Sequence, residues 1–274
     1  MSSMNPDITH FKLPSPSAEG IQIMEMLSEV TVDLPILSDV ICRDPVLAAT
    51  VMRYANAPLY RRVVKVNSVH KAVNMLGLKN VATTIIIATM RNFNTSSTKA
   101  SESIWEHCLG VAALSRLIAR KIDRSLQERA DFLATIHDMG AMVLASNLTE
   151  YDQVYQAALD QQINLNQAEY EAFGYSHDEV SAASLAKLKL PEEMTALIDN
   201  FHQRPALTKI NNDDDKLLAI LSLAHQLEAQ IHGETRVKES MSESTETLIS
   251  LLKLSQDDIE DISEEFEDTL NNGF

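Results

Sequence analysis

Apolar residues recur at helical spacing along nearly the whole chain. In the first third, Pro45 is predicted to begin a helix with Asp44 as its N-cap. A further helix follows Ser68 and stops at Gly77, because glycine is typical of helix ends, and another runs from Leu78 to about residue 90. The pattern therefore predicts an all-α fold.

A polar stretch of Ser, Thr and Asn residues at 92–103 interrupts the apolar pattern, and we interpret it as the boundary between two lobes. The helices predicted after it cover residues 104–122, 128–146, 150–162, 166–173, 178–189, 191–203 and 214–232. The expected organisation is an N-terminal helical lobe (1–95), a second helical lobe (96–235) and an acidic helical tail (236–274).

The helix–glycine–helix unit around Gly77 has the outline of a helix-turn-helix. A recognition helix must present polar side chains to the groove of DNA. The second helix of this unit offers Lys79 and Arg91 and is otherwise almost entirely apolar. We therefore interpret it as a helix that packs in the core.

The chain of 274 residues carries a net charge of −16, and this charge limits its partners. Half of it lies in residues 236–274, where 11 acidic residues stand against 3 basic ones. An acidic surface repels phosphate backbones, so we expect no nucleic-acid partner. The acidic tail is interpreted as a solvated helical face.

Several classes of protein are disfavoured by what the sequence lacks. Its apolar runs fall short of the roughly 18 residues of a membrane span, and the N-terminus has no pattern of a secretory signal, so no membrane is expected. Two cysteines, Cys42 and Cys108, suggest a reducing cytoplasm. The seven glycines are too widely spaced for a phosphate-binding or dinucleotide-binding loop.

Five of the six histidines in the second lobe are candidate ligands, and four of the five lie on or beside apolar helix faces. A single buried histidine is usually a satisfied core residue. Several that point inward from separate helices each need hydrogen-bond partners, which an apolar core lacks. A divalent metal held between helices would satisfy many of them at once. The five are His107, His137, His177, His202 and His225.

Asp138 follows His137 directly within the apolar stretch 132–144, and the nearest cationic side chain along the chain is Arg129. A buried carboxylate without a partner costs several kcal/mol, on the order of the desolvation penalty of an ion. Asp138 is therefore expected to face a metal cation, a protonated histidine or water, and we favour the cation. Cys108 next to His107 is not interpreted as a catalytic pair, because adjacent helical residues do not face each other.

The histidine motifs resemble a known family. Those that resemble the start of an HD phosphohydrolase superfamily domain are Ile104-Trp105-Glu106-His107 and Phe132-Leu133-Ala134-Thr135-Ile136-His137-Asp138-Met139-Gly140. Those that resemble its HDOD branch, the HD-related output domain, are Gly174-Tyr175-Ser176-His177-Asp178-Glu179-Val180, Leu190-Pro191, Phe201-His202, Leu34-Pro35, Asp44-Pro45-Val46-Leu47, Tyr54-Ala55-Asn56 and Ser68 through Leu76-Gly77. The resemblance extends over about residues 13–230.

The resemblance implies a two-lobed helical HDOD architecture and a bacterial signalling protein. By position, His107, His137 and Asp138 match the core metal ligands, while His177 and His202 match the further ligands of dinuclear relatives. Active relatives bind one or two metals and hydrolyse phosphate esters, often of nucleotides. We expect Fe, Mn, Zn or Ni, as one or two ions or none, because a set of imidazoles with one carboxylate suits these metals.

Two departures from the family pattern argue against hydrolysis. Ala141 stands where active relatives commonly carry lysine, and His225, in Ala224-His225-Gln226-Leu227, stands where the closing aspartate is expected. His225 is retained as a candidate ligand. We expect a non-catalytic regulatory module with a partly retained metal site, whose partners are signalling proteins or a small nucleotide-like ligand. The alternatives are a metal-dependent phosphohydrolase that needs Asp138, and a metal-free interaction scaffold.

Overall fold

The computed structural model describes residues 8–27, 29, 31–56, 66–93, 98–187, 196–198, 201–233, 236–239 and 241–272. Within these residues it contains thirteen α-helices and no strand, which confirms the predicted all-α class. They are α1 (Ala18–Leu27), α2 (Leu34–Arg43), α3 (Pro45–Asn56), α4 (Val69–Phe93), α5 (Lys99–Ile122), α6 (Gln127–Ile136), α7 (Met139–Asn147), α8 (Tyr151–Gln161), α9 (Leu165–Phe173), α10 (His177–Lys187), α11 (Asp213–His232), α12 (Thr245–Leu252) and α13 (Gln256–Asn272).

The chain divides into two compact units. One comprises residues 14–93 and 265–274, and the other comprises residues 1–13 and 94–264. The division near residue 93 falls in the polar stretch that interrupts the apolar pattern. Residues 236–274, considered above as one tail, are shared between the two units.

The smaller unit contains helices α1 to α4 and the last residues of α13. Asp44 caps α3 as predicted, since its Oδ1 accepts hydrogen bonds from the backbone N–H groups of Val46 (2.8 Å) and Leu47 (3.2 Å). Helix α4 breaks at Gly77, whose φ of 76° is a conformation that favours glycine. Residues 81–90 after the break are buried, which confirms that this helix packs in the core.

Helices α5 to α12 belong to the larger unit, in which α5 packs against α6 and α11, and α7 packs against α10. Helix α5 begins at residue 99 instead of the predicted 104. The reason is a capping box: the Thr98 hydroxyl accepts from the Ser101 N–H (3.2 Å), and the Ser101 hydroxyl accepts from the Thr98 N–H (3.1 Å). Helices α8 to α11 lie within two residues of their predicted starts and ends.

One predicted helix is divided in the structure, and another is only partly described. The helix predicted at 128–146 is two helices, α6 and α7, separated at His137 and Asp138. The helix predicted at 191–203 falls partly outside the described part of the chain, at residues 191–195, 199 and 200; of the rest, residues 196–198 form a turn and Phe201–Gln203 a 3₁₀ turn. The break in the first helix places His137 and Asp138 at the ends of α6 and α7, and His202 lies in the 3₁₀ turn.

Among the described helices, none taken singly has the length and apolar character needed to cross a membrane. The two segments of α4, Val69–Leu78 and Asn80–Met90, reach that length and composition only together, and they are bent by 109°. Apolar side chains of both segments, including Val73, Leu76 and Ile85, belong to the core of the smaller unit.

Candidate metal centre

The larger unit brings together all six side chains that the sequence singled out. Five elements carry them, and each of these residues is at most 8% exposed. They are His107 on α5, His137 and Asp138 between α6 and α7, His177 at the start of α10, His202 in the 3₁₀ turn and His225 on α11.

The carboxylate of Asp138 lies among four imidazole rings. Its Oδ2 is 3.2 Å from Nε2 of His137 and 3.6 Å from Nε2 of His107. Its Oδ1 is 3.8 Å from Nε2 of His202 and 3.9 Å from Nε2 of His177. One carboxylate oxygen therefore faces each pair of histidines.

The break between α6 and α7 is what turns two consecutive residues toward the same point. His137 keeps helical dihedral angles, but Asp138 leaves the helix with φ −104° and ψ 26°. In an unbroken helix the two side chains would diverge. The His137 ring is fixed by its Nδ1–H, which donates to the carbonyl of Ala134 at 2.7 Å.

Gly140 allows α10 to approach the break closely. A Cβ atom at this position would lie 2.0 Å from the carbonyl oxygen of His177 and 2.5 Å from the backbone nitrogen of Ser181. The Gly140 N–H donates to the Ser181 hydroxyl at 2.7 Å. Only a residue without a side chain lets the start of α10 carry His177 to the centre.

Three of the imidazoles donate their Nδ1–H to a buried carboxylate. This hydrogen bond fixes the ring orientation and turns Nε2 toward the common interior, which is the usual arrangement of metal-binding histidines. The pairs are His107 with Glu228 at 2.7 Å, His177 with Glu169 at 2.7 Å, and His202 with Asp178 at 2.8 Å.

These carboxylates are themselves held in place. Glu169 accepts hydrogen bonds from the Tyr151 hydroxyl (2.5 Å) and from the His177 backbone N–H (2.8 Å). Glu228 accepts from Nε of Arg236 at 2.9 Å, and Asp178 accepts from the Asn166 amide at 3.0 Å. The ring positions are thus set by a second layer of buried polar contacts.

Sequence reasoning missed this layer, because an acidic residue on a helix is usually solvated. One signal was present: Glu228 lies one turn after His225 and directly after Leu227, on a predicted apolar helix. Asp178 follows His177 directly, but no run of apolar residues around it indicates that it is buried. Only the tertiary structure pairs these acids with histidines.

Glu239 is a further residue that the sequence did not indicate. It lies in residues 236–239, between α11 and α12, and its side chain is 3% exposed. Its carboxylate accepts a hydrogen bond from Nε2 of His225 and lies 3.3 Å from Nε2 of His202 and 3.7 Å from Nε2 of His177. The tail was predicted to be a solvated face, and at Glu239 this prediction is wrong.

Buried polar atoms without a hydrogen-bond partner point into the centre. They are Nε2 of His107, His137 and His177, and Oδ1 of Asp138. Leaving such an atom unsatisfied costs about 1–3 kcal/mol. A divalent metal would accept these lone pairs, so the residues fit the ion that the sequence led us to expect.

Three overlapping groups of residues could each hold an ion. Within each group, the ligand atoms all lie within 4.8 Å of one another. Imidazole with carboxylate suits Fe, Zn, Mn and Ni, whereas Ca and Mg prefer oxygen ligands alone. The groups are His107, His137, Asp138 and His225; Asp138, His202, His225 and Glu239; and His177, Asp178 and His202.

Burial and neighbouring charges shift the acidity of these groups. Burial alone lowers the pKa of His177, but the charge and hydrogen bond of Glu169 raise that pKa to about 10. Burial lowers the pKa of His225 to about 4 against the opposing charge of Glu239. Burial raises the pKa of the Cys108 thiol well above its usual range, which keeps the thiol protonated.

Two pockets among the described residues reach these ligand atoms, and the more open one, with a volume of about 380 Å³, is lined by His225, Arg236 and Glu239. The pocket bounded by His107, Asp138, His225 and Glu239 admits about one water-sized sphere. Ala141 also lines it. Beside His107 and Asp138 there is thus room for small ligands of an ion but not for an organic substrate, whereas His225 and Glu239 also line the larger pocket.

The HDOD domain family matches residues 13–204 of the chain. No curated protein matches the chain. An HDOD domain protein of Geobacter sulfurreducens has a similar structure, with 22% identity, a TM-score of 0.70, and 96% of this chain and 92% of that chain covered. A candidate phosphohydrolase of Shewanella amazonensis SB2B shares 19% identity at a TM-score of 0.68, with 93% and 90% covered. At these low sequence identities, the two structures show a shared fold and no more.

Proposed function

The chain belongs to the HDOD family, and from this premise we propose that it is a non-catalytic regulatory module that holds a divalent metal among its helices. The observation that carries the proposal is the position of Glu239, which reaches three imidazoles from outside the helices, next to a pocket at His107 and Asp138 that admits about one water. A phosphohydrolase needs room at the metal for its substrate.

The charges around the centre support the same proposal. Phosphoryl transfer is usually assisted by cationic side chains that contact the phosphate. Arg236 donates to Glu228, and Arg204 makes two hydrogen bonds to Glu243, at 2.8 and 3.0 Å. Ala141 lines the pocket and offers no charge. The two arginines are already engaged by carboxylates of the chain itself.

The residues that would hold the metal are the six predicted ones, with Asp138 shared between two groups of ligands. The bound metal supplies positive charge to a buried site that is rich in carboxylates. Glu169, Asp178 and Glu228 orient the rings. We place the module in the bacterial cytoplasm, with signalling proteins or a small nucleotide-like ligand as its partners.

A metal-dependent phosphohydrolase acting on nucleotides or phosphate esters is the second candidate. Its support is the set of unpartnered Nε2 atoms, which is more complete than a decayed site requires. A protein of Shewanella amazonensis that shares the fold is named a metal-dependent phosphohydrolase candidate. For this chain to act in that way, Glu239 would first have to leave the centre.

Elemental analysis of the purified full chain, combined with phosphatase and phosphodiesterase assays in Mn²⁺, tests the proposal. We expect bound metal that is lost in Asp138→Asn and kept in Asp160→Asn, since Asp160 is an exposed acid on α8. We expect no turnover by any of the three proteins. Turnover that requires Asp138 would refute the non-catalytic proposal and favour the second candidate.

A further inference from the structure

We propose that Glu239 is itself a metal ligand, and that residues 236–239 are thereby docked on the helices of the larger unit in proportion to metal occupancy. The inference rests on the proposed metal-binding function and extends it. The family match ends at residue 204, so the segment that carries Glu239 lies outside the matched residues.

The spacing of the atoms fits a common ion. Ligand atoms about 2.0–2.2 Å from one metal lie about 3–4 Å from each other. Oε2 of Glu239 is 3.3 Å from Nε2 of His202, and Oε1 is 3.7 Å from Nε2 of His177. Oδ1 of Asp138 is 3.8 Å from the same His202 atom. These separations are those of atoms that share an ion.

A simpler explanation is that Glu239 is only a counter-charge for histidine. It does accept a hydrogen bond from His225. However, that contact leaves Nε2 of His177 and Oδ1 of Asp138 without a hydrogen-bond partner, although both atoms are buried and lie 3.9 Å apart. An ion held by Glu239 together with these groups would satisfy all of them, whereas a counter-charge does not.

The neighbours of Glu239 aim it at the centre. The Lys238 carbonyl accepts from the Leu165 N–H at 2.8 Å, which fastens the segment to the start of α9. Arg236 donates to Glu228, the carboxylate that orients His107. Glu239 therefore directly follows two anchored residues.

The coupling between ion and segment is reciprocal. If the ion strengthens the docking of residues 236–239, docking strengthens the binding of the ion by the same factor. Because α12 and α13 follow this segment, loss of the ion would loosen the start of the C-terminal region. Binding and release of the metal would thus fix and free residues 236–239 reversibly.

Metal titration of the metal-free full chain tests the inference. Mn²⁺ and Zn²⁺ affinities are measured by calorimetry for the wild type, Glu239→Gln and Glu246→Gln, with circular dichroism as a check of folding. Glu246 is an exposed acid on α12 and serves as the control of equal charge. We expect Glu239→Gln to weaken binding at least about tenfold, the lower bound for partners of metal ligands, and the control to match the wild type.

Hydrogen exchange of the peptide that contains residues 236–239 gives a second readout on the unaltered protein. We expect metal to slow exchange in the wild type and the control, and to have no effect in Glu239→Gln. Should the variant fail to fold, the wild-type exchange decides alone: protection by metal supports the inference, and unchanged exchange overturns it.

The two levels of the proposal fail in different ways. Equal affinity of Glu239→Gln and the wild type, with exchange unaffected by metal, would overturn the role of Glu239 and leave the metal centre standing. A wild-type protein that binds neither ion would overturn the centre, and the role of Glu239 with it.

Discussion

Substitution of Gly140 by alanine should disrupt the centre more than its size suggests. The added Cβ would lie 2.0 Å from the His177 carbonyl oxygen, where ordinary contact begins at 3.4 Å, so helix α7 or α10 must move by about 1.4 Å. Overpacking costs about 1–3 kcal/mol, and we expect the upper end because the atoms in the way belong to the backbone.

The same displacement should weaken metal binding. If the protein relieves the clash by moving α10, His177 leaves the centre, and restoring the site on metal binding costs about 3 kcal/mol again. That free energy corresponds to about a hundredfold loss of affinity. Urea unfolding of the metal-free protein and calorimetric titration with Mn²⁺ measure the two effects.

Gly174→Ala is the matched control. Gly174 has φ of 83°, so alanine there is strained by about 1 kcal/mol, but no atom lies within 4 Å of its added Cβ. We expect a modest loss of stability and unchanged metal affinity. If Gly140→Ala keeps both the stability and the affinity of the wild type, the close approach of α7 and α10 does not hold His177 in place.

Two further predictions concern the histidines. Glu169→Gln removes the charge that orients His177, and we expect metal affinity to fall about 10–100-fold in a calorimetric titration, whereas Glu171→Gln, at an exposed position, should not change it. With metal removed by EDTA, folding raises the pKa of His177 from 6.5 to about 10. The protonated His177 therefore contributes its full stabilisation below pH 6.5, and this stabilisation is lost as the pH rises toward 10. Urea unfolding between those pH values should show the decline, and a constant or rising free energy of unfolding would contradict it.

Local signals were sufficient to predict most of the helices. Asp44 before Pro45 marks a helix start by its own chemistry, and the structure has that cap. The start of α5 was predicted too late, because the capping residues Thr98 and Ser101 lie in a stretch that composition alone marks as a linker. The break at Asp138 has no local signal, since apolar residues continue on both sides of it.

The candidate site was half predictable, for a physical reason. Imidazoles on apolar helix faces lack partners, and this shortage can be recognised in the sequence. Glu169 and Glu239 could not be recognised in the same way, because an acid becomes a buried partner only when the fold brings a distant group to it. His177 meets Glu169 across a turn, and His202 meets Glu239 across 37 positions.

The interruption between α6 and α7 limits how the His-Asp pair can be reused. Grafted into a regular helix of another protein, the two side chains would point about 100° apart and could not share an ion. A designer would need to transfer residues 127–147 as one piece, together with a helix able to pass as close as α10 does at Gly140. The functional unit is thus the bent backbone with its neighbour, and the dipeptide alone is not portable.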